Sequence, residues 1–284
     1  MSVTFYANSI QYSGFDAANE PSVSGQVATM SGAETSGPLY DLVDNRRTNT
    51  LSLDTNGETT AAVIRLDLTT SISATGMIID NHNLNTAGAL LDLAQGAADV
   101  TITASYSGTL GSELTGDTIL SGNSTIDTDG VTLLQFSSVS DTRWDLTIDD
   151  VSTFSADVTL GEIFLSNYFA PSFNPELQPT FGYDMPGSSY RESDGGQRYG
   201  FSTHTNKRRS WRLMWKYMSD SDKSNLEDIF LFTGGTKYPF YIDLNGPLGS
   251  TNPHLFYVRF MRPLSFVGLT KDAWQVTIDI EEEI

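Results

Sequence analysis

The sequence predicts a mainly β chain: an N-terminal β-sandwich of the jelly-roll kind, then a C-terminal β-rich domain with one packed α-helix. Three observations carry this expectation. Apolar residues recur with a period of two along most patterned stretches, so one row of side chains is buried and the other solvated. Clusters of Gly, Ser, Thr, Asn and Asp, such as 107–116 and 122–130, separate those stretches as turns. A single segment, near 220–232, has the period of a helix.

Charge divides the chain in the same place. Residues 1–170 hold 21 acidic side chains against four arginines and no lysine, a balance of −17, whereas residues 171–284 balance at −2. The expected organisation is an acidic domain over 1–168, with its core at about 35–166, a proline-rich linker over 169–180, and a second domain over 181–284. Three prolines in the linker remove sheet donors and favour extended chain.

Within the first domain, Ile64, Leu66 and Leu68 alternate with Arg65 and Asp67. Val100, Ile102, Ala104 and Tyr106 alternate with Thr and Ser, and Trp144, Leu146 and Ile148 alternate with Arg143, Asp145, Thr147 and Asp149. In the second, Trp211, Leu213, Trp215 and Tyr217 form one face of a strand, with Phe256, Val258 and Phe260, and Trp274, Val276, Ile278 and Ile280, as the faces of two others. The helix begins at Ser219-Asp220-Ser221-Asp222, which supplies capping oxygens and negative charge at the positive helix end. Leu226, Ile229 and Phe230 make its apolar stripe, and Gly234-Gly235 offers a left-handed stop.

Composition excludes several functions. There is no cysteine, hence no disulfide and no thiolate chemistry. A net charge of −19 opposes binding to phosphate backbones and to anionic lipid. The N-terminus MSVTFYANSIQYSG lacks the basic and apolar regions of an export signal, and no run is long enough to span a membrane as a helix. His82, His204 and His254 lie in different regions without metalloenzyme spacing, and no nucleophile elbow or phosphate-binding glycine pattern occurs, so no catalysis is expected. Asp127-Thr128-Asp129-Gly130 opens like a calcium loop but lacks the rest of that pattern, and reads as a turn.

Four stretches carry a resemblance. Leu42-Val43-Asp44-Asn45, Ile64-Arg65-Leu66-Asp67-Leu68, Met77 to Leu84, and Arg143 to Ile148 with Thr159 to Leu165, taken in order, resemble the galactose-binding-like (discoidin-type) jelly roll. The resemblance implies a structural calcium ion held by Asp44 and Glu162, with Asp41 and Asn49 as neighbours, although Arg46 and Arg47 place positive charge beside that loop. It also implies sugar contacts from loop residues, here Arg46, Arg47, His82 and Asn83, while aromatic platforms are scarce in loops 45–135. The other reading of His82, and the favoured one, is a strand-end side chain bonded to a neighbouring backbone carbonyl.

Trp211-Arg212-Leu213-Met214-Trp215, the capped helix, Tyr238 to Ile242, Val258-Arg259-Phe260 and Trp274 to Glu281 resemble minor tail or tail-tip proteins of tailed phages. That resemblance implies a structural virion protein of the tail tip or baseplate, made in the host cytoplasm. Its second domain would assemble with copies of itself in a ring and with neighbouring tail proteins, and its jelly roll would project. Lys207, Arg208, Arg209 and Arg212, the basic cluster, are the expected subunit contacts. Two other functions remain open: a carbohydrate-binding receptor module for host surface glycan, and a polysaccharide depolymerase with a carboxylate pair in one cleft.

Overall fold

The computed structural model describes residues 2–7, 35–36, 42–43, 46–59, 61–150, 153–176, 180–184, 189–201, 207–244 and 252–283. The described chain is mainly β, as expected. In chain order its elements begin with β1 (Val3–Tyr6), β2 (Thr35–Ser36), β3 (Leu51–Leu53), β4 (Ala62–His82), the short helix α1 (Leu84–Ala87), β5 (Ala89–Gln95), β6 (Ala98–Asp99) and β7 (Ile102–Gly108). There follow β8 (Thr115–Gly116), β9 (Ile119–Leu120), β10 (Asn123–Thr125), β11 (Gly130–Asp150), β12 (Val158–Leu160) and β13 (Glu162–Ser166). The last group is β14 (Thr180–Asp184), β15 (Ser189–Glu192), β16 (Arg198–Phe201), β17 (Arg208–Met218), the helix α2 (Asp220–Phe232), β18 (Phe240–Leu244), β19 (Leu255–Phe260), β20 (Phe266–Thr270) and β21 (Ala273–Glu282).

The N-terminal half is built on two antiparallel strands of 21 residues each, β4 and β11, which pair along most of their length. Register shifts at Gln135/Val139 and Asp141/Arg143 break the ladder midway, where bulges bend a strand. One end of β11 pairs with β7 and the other with β5, so the long pair serves two parts of a curled nine-stranded sheet. A three-stranded sheet, β12-β3-β2, completes this half. Ile64, Leu66, Trp144, Leu146 and Ile148 all point into one core, as their alternation predicts. In β7 the expected row is broken: Ser105 and Ser107 are buried, and the Ser107 hydroxyl donates to Asp117 Oδ1 at 2.9 Å.

The C-terminal half is a seven-stranded antiparallel sheet in the order β1-β18-β19-β21-β17-β14, with β20 on β21. Helix α2 lays Leu226 and Ile229 on its core. Ser219 Oγ accepts from the Asp222 N–H at 3.1 Å, and after the helix Gly234 and Gly235 take φ of 59° and 77°, which suits residues without a Cβ. Trp211, Leu213 and Trp215 are buried, but Tyr217, expected beside them, is 65% exposed. A register shift between Trp215 and Met218 moves the inward position by one residue, so Met218 is buried instead.

The division of the chain is less simple than a boundary near residue 168. β1, from the extreme N-terminus, is a strand of the C-terminal sheet, with Val3 opposite Leu244 and Tyr6 opposite Tyr241. The proline-containing stretch is laid against that sheet: Phe169 exchanges backbone bonds with Phe5, the Glu176 N–H donates to Met214 O at 2.8 Å, and the Trp215 indole donates to Phe173 O at 2.9 Å. A third apolar cluster joins the halves, with Tyr6, Tyr241, Leu255 and Tyr257 on one side and Ile78, Val131, Leu133 and Phe164 on the other.

Candidate functional site

The two halves meet at a cleft of about 590 Å³, lined by Arg47, Asp80, Asn81, Thr109, Leu110 and Gly130 from one half and Tyr183, Lys207, Arg209, Glu282 and Glu283 from the other. Its floor is a buried carboxylate. Asp80, near the end of β4, has no exposed surface. It accepts from Arg47 Nε at 2.8 Å, Arg47 Nη2 at 3.3 Å, the Asn81 N–H at 2.7 Å and the Tyr241 hydroxyl at 2.6 Å. Burial works against the Arg47 charge, yet Asp80 outweighs it and holds the guanidinium above its ordinary pKa. Burial, then Asp80, pushes the Tyr241 phenol well above its usual range, so it stays a donor. Asn81 takes φ of 51° and donates to Arg47 O at 2.7 Å, which ties the strand end to the 46–49 loop.

The opposite wall is ordered by Arg209. Its Nε donates to Glu282 Oε2 at 2.7 Å, its Nη1 reaches Gly111 O at 3.2 Å, and its guanidinium lies 4.7 Å from the centre of the Phe256 ring. Gly111, at φ 78°, allows this approach, because a Cβ there would lie 2.1 Å from Arg209 Nη2. Glu283 pairs with Arg259 at 2.7 Å. At the rim Tyr183 is 64% exposed, its ring is braced edge-on against Phe181 at 4.7 Å, and Lys207 Nζ lies 5.5 Å from its centre. The cleft thus offers guanidinium and amide donors, carboxylate acceptors and one exposed aromatic ring. Those are the groups that a polyhydroxylated ring engages by hydrogen bonding and stacking.

The expected site residues fall unevenly around it. Arg47 lines the cleft from the sugar-contact set, and Lys207 and Arg209 line it from the subunit-contact set. Arg208 and Arg212 are instead paired within the chain, with Glu281 and Asp279 of the last strand. Arg46 is exposed, and its carbonyl closes a turn with the Asn49 N–H. His82 is buried rather than displayed. Its Nδ1 accepts from the Leu84 N–H at 3.2 Å, which leaves Nε2 to donate to the Thr132 hydroxyl at 2.9 Å, and burial lowers its pKa to about 4. Asn83 spends both ends of its amide on the chain of β12, donating to Asp157 O and accepting from the Thr159 N–H, each at 2.7 Å.

For calcium, Asp41 and Asp44 lie outside the described residues. Glu162 is fully buried opposite Asp80 in the β13–β4 ladder, and the 46–49 loop does reach this strand, since a Cβ on Gly161 would meet Arg47 O at 2.9 Å. What the loop delivers there, however, is the Arg47 guanidinium. Among the described residues no three His, Asp or Glu side chains gather to hold a metal ion. Asp129 of the Asp-Gly turn accepts from the Thr86 N–H at 3.0 Å and so anchors α1. Among the described residues no helix is long and apolar enough to cross a membrane.

The sequence reading passed over Asp80, Asn81, Tyr183 and Glu282, which come together only through the packing of the two halves. The one available signal was Tyr183 in a strand flanked by glycine and prolines, an aromatic without an obvious core to fill.

No protein-family model and no curated protein matches the chain. Among solved structures it is similar to a chitosan-binding module of a chitosanase/glucanase from Paenibacillus sp. IK-5, at 12% identity and TM-score 0.31, covering 50% of this chain and 98% of that one. It is also similar to a pectin-binding carbohydrate-binding module, at 15% identity and TM-score 0.27, covering 47% of this chain and 87% of that one. A third likeness, to SpGH29, has 16% identity and TM-score 0.30, covers 53% of this chain and spans 29% of that one.

Proposed function

We propose that the chain is a carbohydrate-binding protein whose ligand site is the cleft between its halves. The observation that carries this reading is the exposed Tyr183 ring at the rim of a cleft lined by ordered polar groups. An exposed, braced aromatic gives a sugar ring a stacking surface, and the Arg47, Asn81 and Glu283 side chains offer partners for its hydroxyls. Binding without turnover is the favoured mode, because the cleft carboxylates Asp80, Glu282 and Glu283 are each committed to a guanidinium. A glycan array probed with the full chain tests the reading: retention of one glycan class supports it, and a blank array overturns it.

A second reading, a structural component of a phage tail tip, is favoured by one separate observation. Of the eleven large apolar side chains exposed among the described residues, nine lie beyond residue 170 and only Leu120 and Tyr168 lie in the acidic half. Exposed apolar surface concentrated on one half marks a protein contact. Detection of the chain in purified particles, at a fixed copy number, tests that reading.

A further inference from the structure

The seven-stranded sheet has one face that is only half covered. Its inner side, at β1, β18 and β19, packs on the other half through Tyr6, Tyr241 and Tyr257. Its outer side, across β20, β21 and β17, is formed by the positions that alternate with the buried Trp211, Leu213, Val276 and Ile278. There β17 presents a basic row, Arg208, Arg212 and Lys216, and β21 beside it an acidic row in which Asp279 is buried and Glu281 half-buried. The rows are tied within the chain: Arg208 to Glu281, and both Arg212 and Arg262 to Asp279. Arg212 engages Asp279 through Nε and remains 53% exposed, so its terminal N–H groups are still available. Met261 and Val267, 54% and 57% exposed, add apolar surface to the same region.

We propose that a second copy of this chain covers this half-face, related by a two-fold axis. Adjacent groups of opposite sign are self-complementary under that symmetry, because rotation sets the exposed Arg212 of each copy against Glu281 of the other. Charge also selects the half. Two copies approaching through residues 1–170 would bring balances of −17 together, whereas residues 171–284 stand at −2. The proposal is independent of the sugar-binding reading, since none of these side chains lines the cleft.

Sedimentation of the full chain over a range of concentrations tests it. The expected result is a monomer–dimer equilibrium that shifts to monomer in a Met261→Asp/Val267→Asp variant whose melting temperature is unchanged. Val267→Lys alone, on the outer strand β20, is the milder change and should move the equilibrium in the same direction. A chain that stays monomeric at every soluble concentration overturns the proposal, as does a dimer indifferent to folded forms of these variants.

Discussion

Asp243 shows how a single side chain sets a pH dependence. It lies in β18 next to the junction and accepts from the His254 N–H at 2.7 Å. Burial pushes its carboxyl from 3.8 up to about 6, against the lowering effect of that bond. An acid raised on folding stabilises the fold while protonated. Its contribution is fully present below 3.8 and is lost as pH rises through about 6. Asp243→Asn keeps an acceptor without the charge, so it should raise stability by about 2 kcal/mol at pH 7 to 8 and leave it unchanged near pH 4. Thermal melts at the two pH values check this, and an equal effect at both would show that burial of the charge is not the cause. His82 makes a contrasting point about legibility. Its place at a strand end was readable, but its two ring nitrogens are claimed by Leu84 and Thr132, and only the fold reveals that second partner.

Among the elements, the patterned strands were legible because burial of one row is a local property of the chain. Trp144, Leu146 and Ile148 are buried as their alternation predicts, and α2 begins at its Ser219 cap. Alternation failed where a register shift intervened, as at Met218, because a bulge leaves no clear mark in the apolar pattern. The candidate site was less legible still. Arg47 and Lys207 were singled out for their charge, but for different roles, and nothing local pairs the end of β4 with the ends of β17 and β21. Tyr241 is the element-level tie: from β18 it donates to Asp80 at 2.6 Å and sets its ring edge-on to Phe164 at 4.8 Å. Tyr241→Phe keeps the ring and leaves the buried carboxylate one donor short, a loss of about 1–3 kcal/mol in urea denaturation. An unchanged midpoint would mean that Arg47 and Asn81 alone satisfy Asp80.

Taken as a whole molecule, the uneven charge along the chain marks two halves but not two independent bodies. The strand β1 belongs to the far sheet, Phe169 returns to it, and a shared apolar cluster lies between the sheets. Calorimetry should therefore show one heat-absorption peak, and two separated peaks would contradict a shared core. The same packing creates the cleft, since its two walls belong to different halves.

The measurement that tests this account most directly is titration calorimetry of the wild-type chain and of Tyr183→Ala with a glycan selected on the array. Tyr183 is exposed at the rim, so its truncation should leave the melting temperature unchanged. The account predicts affinity weakened about tenfold, the equivalent of ~1.4 kcal/mol. Equal affinity in the two proteins would place the sugar elsewhere and contradict the cleft as its site.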